Sequence, residues 1–212
     1  MNGDVFRFVD MSDEQIDEIE GRYGPLAVAL RGLVDATIRT RVGDAEIKEA
    51  VAAVEALTET LRADQIDGPS GVHYNSSGRS WSWGNAAIGL RNAIAPPMEV
   101  VHREGTETYA DVHLGAAYEG PPGMVHGGVS ALLLDHLMGV TASQMERVTF
   151  TGTLTLRYRN PLPLGRVELH GRVSGEEGRK VFVTAEIVGE AGVAVEAEGV
   201  FIVPNWSTGD VL

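Results

Sequence analysis

An α+β fold, with an antiparallel sheet wrapped against one central helix, is the class this chain predicts, and three observations predict it. Past residue 96 the segments run strand, strand, helix and then four strands, the clearest being "TYADVHLG", "FTGTLTLRYRN", "GRVELHGRVS", "KVFVTAEIVG" and "VAVEAEGVFIV". Each alternates or is rich in β-branched residues and is bounded by Gly, Pro or Asn. The one helical run among them, from near Gly127, carries Val129, Leu132, Leu133, Leu134, Leu137, Met138 and Val140. It is apolar nearly all round, the mark of a buried central helix. The short connections between consecutive strands favour antiparallel neighbours.

The N-terminal residues are helical in pattern. Ser12 with Gln15 forms a capping-box signature that opens a short acidic helix, which Gly24 and Pro25 in "GRYGP" are expected to break. A second run, "LAVALRGLVDATIRTRV", ends at Gly43, and a third from Asp44 to about Ala63 sets Ile47, Val51, Val54, Leu57 and Leu61 on one stripe. The segment "DQIDGPSGVHYNSSGRS" has turn-forming composition without periodicity, so it reads as a linker or mobile loop. Trp81 and Trp83 alternate as strand neighbours do, as packing residues or as a pocket wall. We therefore expect an N-terminal helical extension over 1–66, a linker and irregular lead-in over 67–95, and the α+β domain over 96–212.

Composition narrows the function classes. The chain has 212 residues, 43% of them hydrophobic, enough for a sizeable core. It has 17 Lys and Arg against 30 Asp and Glu, a net charge of −13 that disfavours nucleic acid and anionic membranes as partners. With no cysteine there is no disulfide, thiolate nucleophile or thiolate metal site. The six histidines are dispersed, so no metal cluster is expected. The first residues lack the pattern of a secretory signal and no apolar run reaches membrane length, so a cytoplasmic location is expected.

Two features of "GPPGMVHGGVSALLLD" carry chemistry. Gly127 and Gly128 leave backbone N–H groups unobstructed at the positive end of a helix, where an oxyanion could sit; a tight strand-to-helix turn is the plainer reading. Asp135 has Ala131, Leu134, Met138 and Ala142 as its same-face neighbours, so it is a carboxylate off any solvated stripe. Either backbone donors fix it structurally or it serves a reaction. Eight residues separate it from Gly127, roughly 12 Å at about 1.5 Å per residue. One carbonyl carbon cannot touch both ends of a single helix. If the groups cooperate, the aspartate comes from a second copy whose helix lies antiparallel alongside, as a two-fold dimer supplies.

At these residues the sequence resembles the hot-dog-fold acyl-CoA thioesterases, in the branch that includes the phenylacetate-pathway thioesterase and the human thioesterase-superfamily-member proteins. The likeness runs through "GPPGMVHGGVSALLLDHLMG", "TGTLTLRYRNPLPLG" and "EGRKVFV", in that order, over about residues 96–204. It implies a hot-dog fold and hydrolysis of an acyl-CoA thioester by a homodimer or a dimer of dimers. No cofactor is implied, coenzyme A being part of the substrate. By resemblance Asp135 is the general base or nucleophile, and the Gly127 amide polarises the thioester carbonyl. His126 helps organise the site, and Thr151 positions the aspartate or a water. Thr153 competes with Thr151 if the register slips by two, since both would share one strand face. Gly128 belongs to the substrate-binding turn, while Arg157, Arg159, Arg179 and Lys180 are the local cations available to coenzyme A phosphates.

Other readings are weaker. A hot-dog module that only binds acyl-CoA or braces another protein is the main alternative. A Gly-x-Ser-x-Gly serine hydrolase fails because Leu132 stands where the second glycine belongs. A dehydratase of the same fold would need a histidine and acid pairing that "HGGVSALLLD" does not offer.

Overall fold

A computed structural model describes residues 6–96, 98–143 and 147–207. The expected order of elements is present. Strands β4 (Glu99–His102) and β5 (Glu107–Leu114) precede helix α3 (Gly127–Ala142), and β6 (Phe150–Tyr158), β7 (Gly165–Glu177), β8 (Lys180–Gly189) and β9 (Gly192–Ile202) follow it. These strands form one six-stranded sheet in the order β4-β5-β7-β8-β9-β6, antiparallel throughout. The strand that follows the helix is thus an edge strand.

Alternation along the strands explains how the sheet holds the helix. Along β8, the first half of β7 and most of β9 buried residues alternate with more exposed ones, the buried set including Val167, Leu169, Val181, Val183, Ile187, Ala197 and Phe201. Against this face α3 buries Leu133, Leu134, Leu137 and Met138, completing one continuous core. Gly171 and Gly199 let the helix come close. A Cβ on Gly171 would lie 2.7 Å from the hydroxyls of both Thr108 and Thr141, and one on Gly199 would lie 2.8 Å from Met138 Cε. Thr108 and Thr141 bond to each other over 2.5 Å, so the polar pair inside this contact is satisfied.

The N-terminal part differs from expectation in two places. Helix α1 (Asp13–Arg39) runs through Gly24 and Pro25 without a break, then stops at the Thr40 cap instead of reaching Gly43. Pro25 and Gly21 are both exposed, so the carbonyl that loses its partner to proline faces water. Beyond the proline the helix is anchored by Arg31, whose guanidinium donates to the carbonyls of Ala95 and Asn92, each at 3.2 Å. The Ser12 capping box with Gln15 forms as expected.

Short strands lie within the segment read as a linker or loop. Strand β2 (Val72–Tyr74) pairs in parallel with β1 (Phe6–Phe8) and antiparallel with β3 (Ser80–Trp81). Buried Asn75 ties this small sheet to the start of α1, donating to the Met11 carbonyl at 3.1 Å and to Asp13 Oδ1 at 2.7 Å. Trp81 is a packing residue, 7% exposed and stacked on His73, while Trp83 Nε1 donates to Glu20 at 3.0 Å. Helix α2 (Asp44–Arg62) buries no residue, and its stripe of Ile47, Val51, Val54, Leu57 and Leu61 is open.

Candidate active site

The first turn of α3 is fixed by the residue before it. His126 is the N-cap; its own N–H donates to the Tyr118 carbonyl at 2.9 Å. Its Nδ1 accepts the Gly128 N–H at 2.9 Å, and its carbonyl accepts Val129 N–H at 2.9 Å and Ser130 N–H at 3.3 Å. Of the four N–H groups that the helix start leaves free, those of residues 126–129, His126 gives its own to Tyr118 and takes those of Gly128 and Val129, while the Ser130 N–H closes the first helical bond. Among the described residues no acceptor takes the fourth, the Gly127 N–H.

The Gly128 amide is thus held by His126, whereas the Gly127 amide has no acceptor among the described residues. Gly127 lines a cleft of about 570 Å³ with Pro121, Met124, Val125, Ser130, Tyr158 and Leu162. From the rim of this cleft Tyr158 donates its hydroxyl to the Gly127 carbonyl over 2.8 Å.

Asp135 sits two turns further on. It is half-buried in the single chain, not fully buried as the apolar pattern suggests. Gly128, Leu132 and Asp135 follow one another along a stripe of α3 that is exposed or only half-buried, and Leu132 is 37% exposed. The carboxylate is held by Thr151, whose hydroxyl donates to Asp135 Oδ1 over 2.8 Å.

The choice between Thr151 and Thr153 is decided by a bulge. Thr151 pairs with Phe201 and Thr153 with Val200, so one extra residue, Gly152, stands between them on β6. Directly paired residues point to the same face of a sheet. Thr151 therefore shares the helix-facing side with buried Phe201, and Thr153 faces the other way, against the expectation of a common face. A Cβ on Gly152 would lie 3.0 Å from Ile202 Cγ1 and 3.2 Å from the Val200 carbonyl, which accounts for glycine at the bulge.

Beside the carboxylate, His136 Nε2 is buried and has no hydrogen-bond partner among the described residues. Burial pushes its imidazole below the usual histidine range, and neighbouring Asp135 opposes that shift.

The four candidate phosphate ligands do not converge. Arg159 lines the Gly127 cleft and pairs with Glu196 at 2.8 Å. Arg157 pairs with Glu198 at 2.6 Å and lines a separate recess of about 450 Å³ with Arg103, His170 and Arg172. Arg179 donates to the Val203 carbonyl at 3.0 Å, and Lys180 opens β8 beside it. Only Arg159 is therefore placed at the amide. Tyr158 is the site residue that motif reading missed. Its signal was alternation: Leu154 and Leu156 pack towards the core, and Tyr158 continues their face of β6.

These features agree with what the chain resembles. The family model described as Thioesterase superfamily matches residues 122–196, the stretch that holds the helix and most of the sheet. Acyl-coenzyme A thioesterase THEM4 of Xenopus laevis is 42% identical over 74 residues, covering 34% of this chain and 33% of that protein. THEM4 of Mus musculus is 36% identical over 91 residues, covering 42% of this chain and 39% of that one. The matched stretch is thus well under half of those relatives. A crystal structure of a thioesterase superfamily protein is 31% identical with a TM-score of 0.76, covering 85% of this chain and 94% of that chain. That cover takes in more than the sheet and central helix. With family motif, relatives and architecture in accord, the chain belongs to the thioesterase superfamily.

Proposed function

We propose that the protein hydrolyses an acyl-CoA thioester to the free acid and coenzyme A, without a cofactor. The observation that carries this reading is the polarity of α3. One end presents an N–H with no acceptor among the described residues, and a point roughly 12 Å along, at about 1.5 Å per residue, presents a carboxylate oriented by a hydroxyl. Attack on a thioester builds negative charge on the carbonyl oxygen, and one well-aimed donor is typically worth about 10²–10³ in rate. The Gly127 amide supplies that donor. Asp135 either takes a proton from water or attacks the carbonyl itself, and Thr151 holds one carboxylate oxygen so that the other is aimed to do so.

The two groups meet in a homodimer. The partly exposed stripe of α3 and the free edge of β6, most of whose residues are exposed, are two neighbouring surfaces that a second copy would cover together. With a second α3 antiparallel alongside, the amide of one subunit faces the carboxylate of the other, giving two equivalent sites. Pairing of such dimers into a tetramer is compatible with this arrangement. Arg159, beside the amide, is the best-placed cation for the coenzyme A portion.

Thiol release from a panel of acyl-CoA esters, with Asp135→Asn and Asp135→Ala beside the parent, tests the reading. Both variants are expected to lose at least a hundredfold. Equal turnover in all three, or binding without turnover in the parent, would leave the non-catalytic acyl-CoA-binding reading in its place.

A further inference from the structure

We infer that Tyr158 is a positioning residue, which aims the Gly127 amide by clamping the first turn of α3 from the edge strand. The inference rests on the proposed thioester hydrolysis for its consequence and on geometry for its substance. Gly127 and Gly128 are adjacent, and no backbone pair has more conformational freedom. A donor must nevertheless hold one direction if it is to stabilise an oxyanion, because a donor that reorients during reaction loses most of its worth. His126 fixes the far side of this turn by holding the N–H groups of Gly128, Val129 and Ser130. The Gly127 carbonyl is the other end of the same peptide unit as the Gly128 N–H, and Tyr158 holds it at 2.8 Å, so this peptide, which adjoins the one carrying the Gly127 N–H, is fixed from both the cap and the edge strand.

The ring matters as well as the hydroxyl. A Cβ built on Gly127 would lie 3.2 Å from the Tyr158 hydroxyl oxygen and 3.4 Å from its Cε1 and Cζ. The aromatic ring is therefore laid directly against the glycine, and the missing side chain at 127 is the space it uses. Tyr158 is 57% exposed in the single chain, so core packing is not what retains it there. Its hydroxyl proton is engaged by the Gly127 carbonyl, which assigns it orientation and not proton transfer.

The experiment compares the parent, Tyr158→Phe and Tyr158→Leu in steady-state hydrolysis of an acyl-CoA ester, and follows amide hydrogen exchange across residues 126–130. Removing the hydroxyl alone is expected to lower kcat about tenfold, a factor of the size one hydrogen bond controls. KM and the shape of the pH profile are expected to stay as in the parent. Exchange over 126–130 is expected to quicken in both variants while the rest of α3 is unchanged, and Tyr158→Leu to be the more affected. Unchanged kcat in Tyr158→Phe, a loss carried by KM alone, or parental exchange in both variants would overturn the inference. A parent inactive on every acyl-CoA would count against the hydrolysis reading, and the exchange comparison would still decide the clamp.

Discussion

Thr151 on β6 donates to Asp135 on α3 over 2.8 Å, and this bond joins the free edge of the sheet to the one carboxylate of the central helix. Its value lies in direction. An ionised carboxylate oxygen that accepts from a fixed hydroxyl cannot rotate freely, which leaves the other oxygen aimed. Thr151→Ala is expected to lower kcat about tenfold with little change in melting temperature, and Thr151→Ser to restore most of it. Steady-state kinetics with thermal melts of both variants check this.

The bulge at Gly152 sets that bond. Gly152→Ala would place a Cβ 3.2 Å from the Val200 carbonyl, which belongs to the backbone and yields little. The strand is expected to relax by shifting register, turning Thr151 away from the helix. We expect a stability loss of about 1 kcal/mol and a kcat close to that of Thr151→Ala. Denaturant unfolding and kinetics on the same preparation measure both.

His126→Ala removes the Nδ1 acceptor that holds the Gly128 N–H. Loss of an N-cap acceptor typically costs about 1 kcal/mol, and asparagine is among the residues that cap well. His126→Asn is therefore expected to recover most of the stability that His126→Ala loses. Chemical denaturation of the three proteins provides the comparison.

His136 predicts a pH dependence of stability. Burial holds its pKa below the unfolded value, so the unfolded chain binds the proton first as pH falls. Its contribution is complete above the ordinary histidine pKa and is lost progressively as pH drops below it. The unfolding midpoint is expected to fall between about pH 7.5 and 5.5, and to fall less steeply in His136→Gln. Parallel slopes in parent and variant would show that His136 is protonated without penalty.

Much of this was legible in the chain because the dominant signals were periodic. Alternation in β7, β8 and β9 and the apolar run of α3 follow from burial on one face and burial nearly all round. The helix through Pro25 was not legible, because its continuity rests on Arg31 reaching loop carbonyls more than fifty residues away. Local composition cannot report such an anchor. Thr151 was readable only by resemblance, since strict alternation would have placed it on the same face as Thr153. The partly exposed stripe through Leu132 and Asp135 was hidden for a different reason. In the proposed homodimer that stripe faces a second copy, and an obligate interface carries the same residues as a core.

The central claim is that the amide and the carboxylate of one site belong to different subunits, and subunit complementation measures it most directly. Asp135→Ala and Gly127→Val chains, each inactive alone, would be co-expressed with different tags and the mixed dimer purified. A composite site leaves one of the two centres in each mixed dimer with both groups intact, so about half the parental turnover per dimer is expected. Turnover no higher than that of either variant alone would contradict the claim.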